Sequence, residues 1–397
     1  MRKLCAAALQ TLAFAAAITV GGQTRAAGLD DIPGQVRQEL YNKAMMDPSQ
    51  PLADSAYQNW KPKKGPPWTI GYASSYAGNT WRADVMSRLQ NTLIPKWKKL
   101  GLVKDVIITQ SNLNDSVQIQ QMRQLVDRGV DAVIVCCSNP TALAQTVSYA
   151  HSRGVPVFSA TGYLDSPYSM NSSANFVVGG NMLGKWMANE LKGKGNVLIV
   201  EGIPGASASD SQNRGVLEAL KAYPDIKVVG SVVGMWTDQV AQAEIQKWLA
   251  TNPDRLDGII IQSASELGAV RAMQQSGRPM PPISIGGELG ALCYWRKNPK
   301  FINTAIQAWP PGDDFEMAWN IMMRTLEGQG PKIQSILTKP REINFEELSK
   351  VLKEDCNQDS GGWYNVGEST WAGRDYLDQF FMRPADPEKF DPKTAKR

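Results

Sequence analysis

Two kinds of side chain recur at intervals along this 397-residue chain: flat aromatic ones (Trp81, Tyr163, Trp236, Trp309) and short amides and carboxylates (Asn79, Asn139, Asp210, Gln262, Glu288, Gln307). Together they suit a small polyhydroxylated molecule. Indole and phenol faces pack against C–H patches, while Asn, Gln, Asp and Arg hydrogen-bond paired hydroxyls. Arg82, Ser138 and Thr161 join the set by position. Taken singly, several of these residues also read as helix caps, and Pro140 at a first helical position accounts for Asn139 without any ligand. Catalysis has less to work with. The one histidine, His151, cannot build a multi-histidine zinc centre, and any Ser/His/Asp or Cys/His apparatus must run through it. It falls at the end of a helical stretch, on the side away from the strand ends, and reads as a surface residue. Asp210 and Glu288 are the kind of carboxylates that hydrolyse glycosides in pairs, but nothing in the sequence fixes their separation.

The elements that must position these residues alternate regularly. β-rich apolar runs at 69–75, 105–109, 132–137 and 155–159 are separated by amphipathic helical patterns at 80–100, 116–128 and 140–153. Gly101, Gly129 and Gly154 stand where left-handed helix C-caps are needed. The rhythm resumes with helices at 181–192, 209–223, 238–250 and 265–276 and strands at 196–200, 227–233, 258–262 and 282–285. A strand-like passage at 175–178 breaks the pattern. Such alternation predicts right-handed βαβ units, hence an α/β protein of two doubly wound parallel-sheet lobes. No Gly-rich phosphate-binding motif follows a strand, and Gly179-Gly180 and Gly286-Gly287 read as strand-end turns, so a nucleotide cofactor is not expected. Parallel sheets bind ligands at the carboxyl ends of their strands, which is where the aromatic and amide residues stand.

Residues 1–27 read as a cleaved secretory signal, with Arg2 and Lys3 before an Ala-rich apolar run that is short for a membrane span. Setting Arg2, Lys3 and Arg25 aside leaves 39 basic against 38 acidic side chains, which argues against nucleic acid and favours a neutral ligand. An N-terminal DNA-binding helix-turn-helix is likewise not evident in the Pro-rich stretch at 28–67. Cys136 and Cys137 sit in an apolar strand run and read as buried thiols, whereas Cys293 and Cys356 are a candidate disulfide for an oxidising compartment.

From about Trp68 to Gly328 the chain resembles periplasmic sugar-binding proteins of the ribose/galactose type, the solute receptors of ABC importers. The matching stretches are Thr69-Ile70-Gly71 running to Gly78-Asn79-Thr80-Trp81, Leu125 to Ala132, Gly154-Val155-Pro156-Val157, Gly202-Ile203-Pro204-Gly205 with Asn213-Arg214-Gly215, and Gly268-Ala269 after Gln262. Their order and spacing carry the likeness. It implies a type I periplasmic-binding fold: a first lobe of 68–177 with 309–330, a second of 178–308, a lead-in at 28–67 and a C-terminal extension, 331–397, packed on the lobes. Three hinge crossovers are expected near 176–180, 307–311 and 329–333, with closure on a ligand. It further implies a monomer that delivers a sugar or sugar alcohol to an inner-membrane permease; a receptor for chemotaxis or a sensor kinase would use the same binding event. Asn79, Trp81, Gln262, Glu288 and Gln307 fall where family members touch sugar. Thr161-Gly162, Gly179-Gly180, Arg82, and Asp210 or Gln212 depart from the charges and aromatic found in ribose binders, so ligand specificity does not carry over.

Overall fold

The computed structural model describes residues 28–391 and 393, apart from 49, 137, 138, 308, 309, 365–372 and 392. The expected leader and the expected contacts Ser138 and Trp309 lie outside the described residues. Eleven named strands run in chain order: β1 Trp68–Ser74, β2 Val103–Gln110, β3 Ala132–Val135, β4 Val157–Ala160, β5 Ser169–Ala174, β6 Gly195–Glu201, β7 Ile226–Val233, β8 Gly258–Ile261, β9 Thr304–Gln307, β10 Ser335–Thr338 and β11 Arg341–Asn344. The α-helices are α1 Gly34–Leu40, α2 Thr80–Arg88, α3 Ile94–Lys99, α4 Asp115–Asp127, α5 Ala144–Ser152, α6 Phe176–Glu190, α7 Ser207–Leu220, α8 Asp238–Thr251, α9 Glu266–Ser276, α10 Leu289–Lys297, α11 Pro311–Leu326, α12 Phe345–Val351 and α13 Arg374–Asp378.

The first lobe is built on a six-stranded sheet in the order β10-β5-β4-β3-β1-β2, parallel throughout. Its inner strands are buried along their length, as Ala132–Val135 shows, because helices cover both faces and leave no polar side to alternate with. The second lobe carries β7-β6-β8, also parallel. Ile283 bridges Ile259, Ile285 accepts from the Ile306 amide, and β9 pairs antiparallel with β11, which extends this layer. After β9 the chain returns to the first lobe as α11, which packs against β3, β4, β5 and α2.

Several expectations need correction. The passage at 175–178 is not a strand: Asn175 caps α6, its side-chain oxygen accepting from the Val178 amide at 3.0 Å. Gly179 and Gly180 are therefore inside a helix. A methyl group on Gly180 would stand 2.0 Å from the Gln212 carbonyl oxygen, and one on Gly215 would stand 2.1 Å from that of Val177. These glycines let α6 and α7 pack backbone to backbone, a tertiary demand that a strand-end turn reading misses. The third passage between lobes lies between β10 and β11, not at 329–333. β10 pairs with β5 in the first lobe and β11 with β9 in the second, so the start of the expected extension supplies strands to both. Each is four residues long, too short for periodicity to reveal.

The Pro-rich lead-in buries Ile32, Leu40, Tyr41, Met46 and Tyr57 against the first lobe. The Tyr41 hydroxyl donates to Ser335 O at 2.9 Å and accepts from the Leu337 amide at 3.1 Å, satisfying a phenol that is 4% exposed. Cys293 and Cys356 are joined in a disulfide with their Cα atoms 5.7 Å apart, and Cys136 is a buried free thiol. His151 stacks on Tyr168 at 4.1 Å beneath the lead-in. Among the described residues no helix is long and apolar enough to cross a membrane.

Replacing Gly180 with Ala is expected to lower the unfolding free energy by about 1–3 kcal/mol through overpacking. Urea denaturation measures this, with Gly361→Ala, where a methyl group meets none of the described residues within 4 Å, remaining near wild type.

Candidate functional site

A cleft enclosing about 680 Å³, mouth included, lies between the lobes. Each of its walls is a loop or helix start that follows the carboxyl end of a strand. Ser75, Tyr76, Asn79, Trp81 and Arg82 follow β1, and Leu113 follows β2. Thr161 follows β4 and Phe176 follows β5, while Ile203, Ala208 and Gln212 come after β6, Trp236 after β7, and Gln262, Ser263 and Ala264 after β8. A larger groove of about 990 Å³ lies under the lead-in, by Trp60, Lys63 and Arg153. It borders the amino ends of β3 and β4 and so lies outside the strand-end rule.

Backbone strain is concentrated on the cleft. Among the described residues, those other than glycine with positive φ are Asn112, Leu113, Thr161, Lys192, Met235, Trp236, Ser263 and Ala264. Five of them, Leu113, Thr161, Trp236, Ser263 and Ala264, line it. Each left-handed residue costs roughly 1 kcal/mol or more, so the surrounding packing must hold these turns in place, as is typical where a ligand is to be gripped. Gly202 shows how closely. A methyl group there would lie 2.2 Å from the Trp236 indole, so the missing side chain is what seats that ring.

The structure brings Asn79, Trp81, Arg82, Thr161, Trp236 and Gln262 together around the cleft. Their polar groups are largely engaged already. Asn79 caps α2 through the Arg82 amide at 2.9 Å, and its Nδ2 donates across the cleft to Trp236 O at 3.1 Å. Gln262 accepts from the Gly202 amide at 2.8 Å and the Ser209 hydroxyl at 2.7 Å, and donates to Ser209 O and Asn213. Gln262 thus braces the wall. Thr161 donates to the Asp314 carboxylate. The Arg82 guanidinium lies 4.6 Å above the Trp81 ring, an arrangement that presents a cation and an indole together. Burial, foremost among several influences, raises the Cys136 thiol and the Tyr72 phenol beneath; Arg82 pulls both down and Asp314 pushes both up, so opposite charges share the cleft floor.

Other expected residues lie elsewhere. Asn139 donates to Asp115 at 2.9 Å and caps the turn at Thr141 and Ala142. Asp210 is exposed on α7. Glu288 is buried at the start of α10, where its carboxylate accepts from the Leu267 amide at 3.0 Å. Asp210 and Glu288 do not face one another across the cleft, so the hydrolytic pairing considered from sequence is not assembled. Gln307 ends β9, and its side chain is not among those described. Gln212 was passed over as a contact. It is 3% exposed, lines the cleft, and its Oε1 has no hydrogen-bond partner among the described residues. Tyr76 and Phe176 were also missed, although the strand-end rule covers both.

Residues 70–330 match the periplasmic binding protein domain. The chain belongs to that family. It is 30% identical over 209 residues to the xylitol-binding protein of Mycolicibacterium smegmatis, covering 51% of this chain and 59% of that protein's length. It is 24% identical over 298 residues to the D-xylose-binding periplasmic protein of Escherichia coli, covering 70% of this chain and 88% of the relative. Among solved structures, the ABC transporter solute binding protein from Thermobispora bispora aligns with a TM-score of 0.66 at 23% identity, over 73% of this chain and 90% of the other. The fold is shared.

Behind the Ser263-Ala264 wall lies a buried carboxylate pair. Glu266 accepts from the Gly286 and Glu288 amides at 3.0 and 3.2 Å, beside Glu288. Burial, reinforced by Asp238, pushes Glu266 up to about 7; burial, reinforced by Glu266, also raises Glu288. A carboxyl raised on folding binds protons more tightly in the native state. Its stabilisation is complete below its ordinary value of 4.5 and is lost as pH rises through about 7. Glu266→Gln is therefore expected to flatten the fall of thermal stability between those pH values, as calorimetry across the range would show.

Proposed function

We propose that this protein is an extracytoplasmic solute receptor that closes its two lobes on a small neutral sugar or sugar alcohol and delivers it to an ABC-type importer in the inner membrane. The observation that carries this reading is the lining of the cleft. Trp81 and Trp236, from opposite lobes, and Tyr76 and Phe176 beside them supply flat apolar faces, while the buried Gln212 Oε1 supplies an acceptor still open to a hydroxyl. A neutral ligand fits because Arg82 is the one cation lining the cleft among the described residues, and its charge is set against Asp314 below. Family membership supports the importer role, and the names of the xylitol-binding and D-xylose-binding relatives support the ligand class. The apolar run at 1–27 supports export. With Asp210 and Glu288 outside the cleft, binding without turnover is the better reading.

A thermal-shift panel of pentoses, hexoses and polyols, run on ligand-stripped protein, should reveal a stabilising compound; a folded protein that responds to none would sink the proposal. Against that compound, Trp81→Ala should weaken binding at least about tenfold, or 1.4 kcal/mol, by calorimetry. Gln212→Leu, which keeps the bulk and removes the acceptor, should produce a loss of similar order with the fold unchanged.

A further inference from the structure

Two segments outside residues 70–330, the stretch matched by the family, each leave one lobe and grip the other. The first belongs to the lead-in. It is anchored on the first lobe by the Tyr41 hydroxyl on β10, by Asn175 Nδ2 donating to Leu40 O at 2.9 Å, and by the Gln334 amide donating to Ala53 O at 2.8 Å. Between those anchors it reaches α7 of the second lobe. There the Ser211 hydroxyl donates to the Asp47 carboxylate at 2.7 Å, and Arg214 donates to Met46 O.

The second segment, 356–364, has the opposite polarity. It is fixed to the second lobe by the Cys293–Cys356 disulfide and by the Arg271–Asp359 ion pair at 2.6 Å. Backbone bonds add to these, from Leu289 N to Gly362 O at 3.0 Å and from Tyr364 N to Gly287 O at 2.7 Å. From that base Trp363, 5% exposed, reaches α2 of the first lobe. Its amide donates to Asp84 Oδ2 at 3.1 Å and its indole Nε1 to Thr80 Oγ1 at 3.0 Å. α2 also carries Trp81 and Arg82 into the cleft, so this contact holds a cleft wall as well as the neighbouring lobe.

We propose that these segments are a pair of clasps that bias the two lobes toward the closed arrangement and slow release of whatever the cleft holds. Because one is rooted in each lobe, separating the lobes must break both sets of cross-lobe bonds, and those involving Asp47, Asp84 and Arg214 are charge-assisted. Among the described residues, none from either clasp lines the cleft. The proposal rests on reading the cleft as a closing trap.

Small-angle X-ray scattering of the full-length, sugar-free protein tests it. An Asp47→Ala/Asp84→Ala double variant is expected to show a larger radius of gyration than wild type, with an unchanged circular dichroism spectrum. Gly290→Ala provides a second route that removes no polar group: its methyl would stand 2.3 Å from the Gln358 carbonyl oxygen and push the C-terminal clasp off α10. It should shift the radius in the same direction. Folded variants with the wild-type radius would overturn the clasp. Xylitol, added in a separate arm, addresses the ligand alone: opening of the variants together with silence toward xylitol and the rest of the sugar panel would leave the clasps standing and reject the sugar reading.

Discussion

A strand that pairs in parallel with its neighbour must cross back over the sheet before it can pair, so loops of one kind gather at one end of the sheet. Both central sheets obey this constraint, and the cleft follows from it. β1, β2, β4 and β5 in one lobe and β6, β7 and β8 in the other each release the chain at a carboxyl end into the same space. Antiparallel hairpins at these positions would scatter the same side chains over two edges. The antiparallel pairing of β9 with β11 is confined to the end of the second layer away from β7, where it disturbs none of these loops.

The price of that convergence is strain in the connecting turns, and the packing behind them absorbs it. Ser263 and Ala264 are held left-handed above a buried layer in which Glu266 and Glu288 receive backbone amides from α9, α10 and the 286 turn. Trp236 is held left-handed with its ring lodged over Gly202 and its carbonyl bonded to Asn79. Most polar atoms in the walls are already satisfied by one another. Rigidity of this kind lets a site select by shape, because a side chain with its hydrogen bonds made cannot swing to accommodate a poor fit.

Around this shared core, the segments before residue 70 and after residue 330 are more than appendages. They complete both lobes with β10 and β11, bury aromatic side chains such as Tyr41 and Tyr364, and join the lobes at places the matched domain leaves open. The buried Arg324, bonded to Asp378 at 2.6 Å and lying over Phe381, ties the far C-terminal part to α11. A charge that is 1% exposed requires such a partner, so this end of the chain belongs to the folding unit.

Local signals in the sequence were sufficient for the alternation of strands and helices, the parallel class of the sheets, and Asn79, Trp81, Arg82, Thr161 and Trp236 at the cleft. Periodicity, caps and strand ends are properties of neighbouring residues. The single histidine rules out a multi-histidine zinc centre on composition alone, but it reads as a surface residue, whereas the structure half-buries it against Tyr168 beneath the lead-in. Long-range contacts fixed the rest. Gly180 and Gly215, thirty-five residues apart, make sense only as the two sides of one helix crossing. Gln262 and Glu288 have the composition of ligand contacts, yet Gly202, Ser209 and Leu267 engage them first. Gln212 is marked in the sequence only as a departure from ribose binders, with nothing local to show it as an open acceptor. Whether an amide is free to meet a ligand depends on which neighbours folding brings within 3 Å or so of it, and a linear sequence carries residue types without those distances.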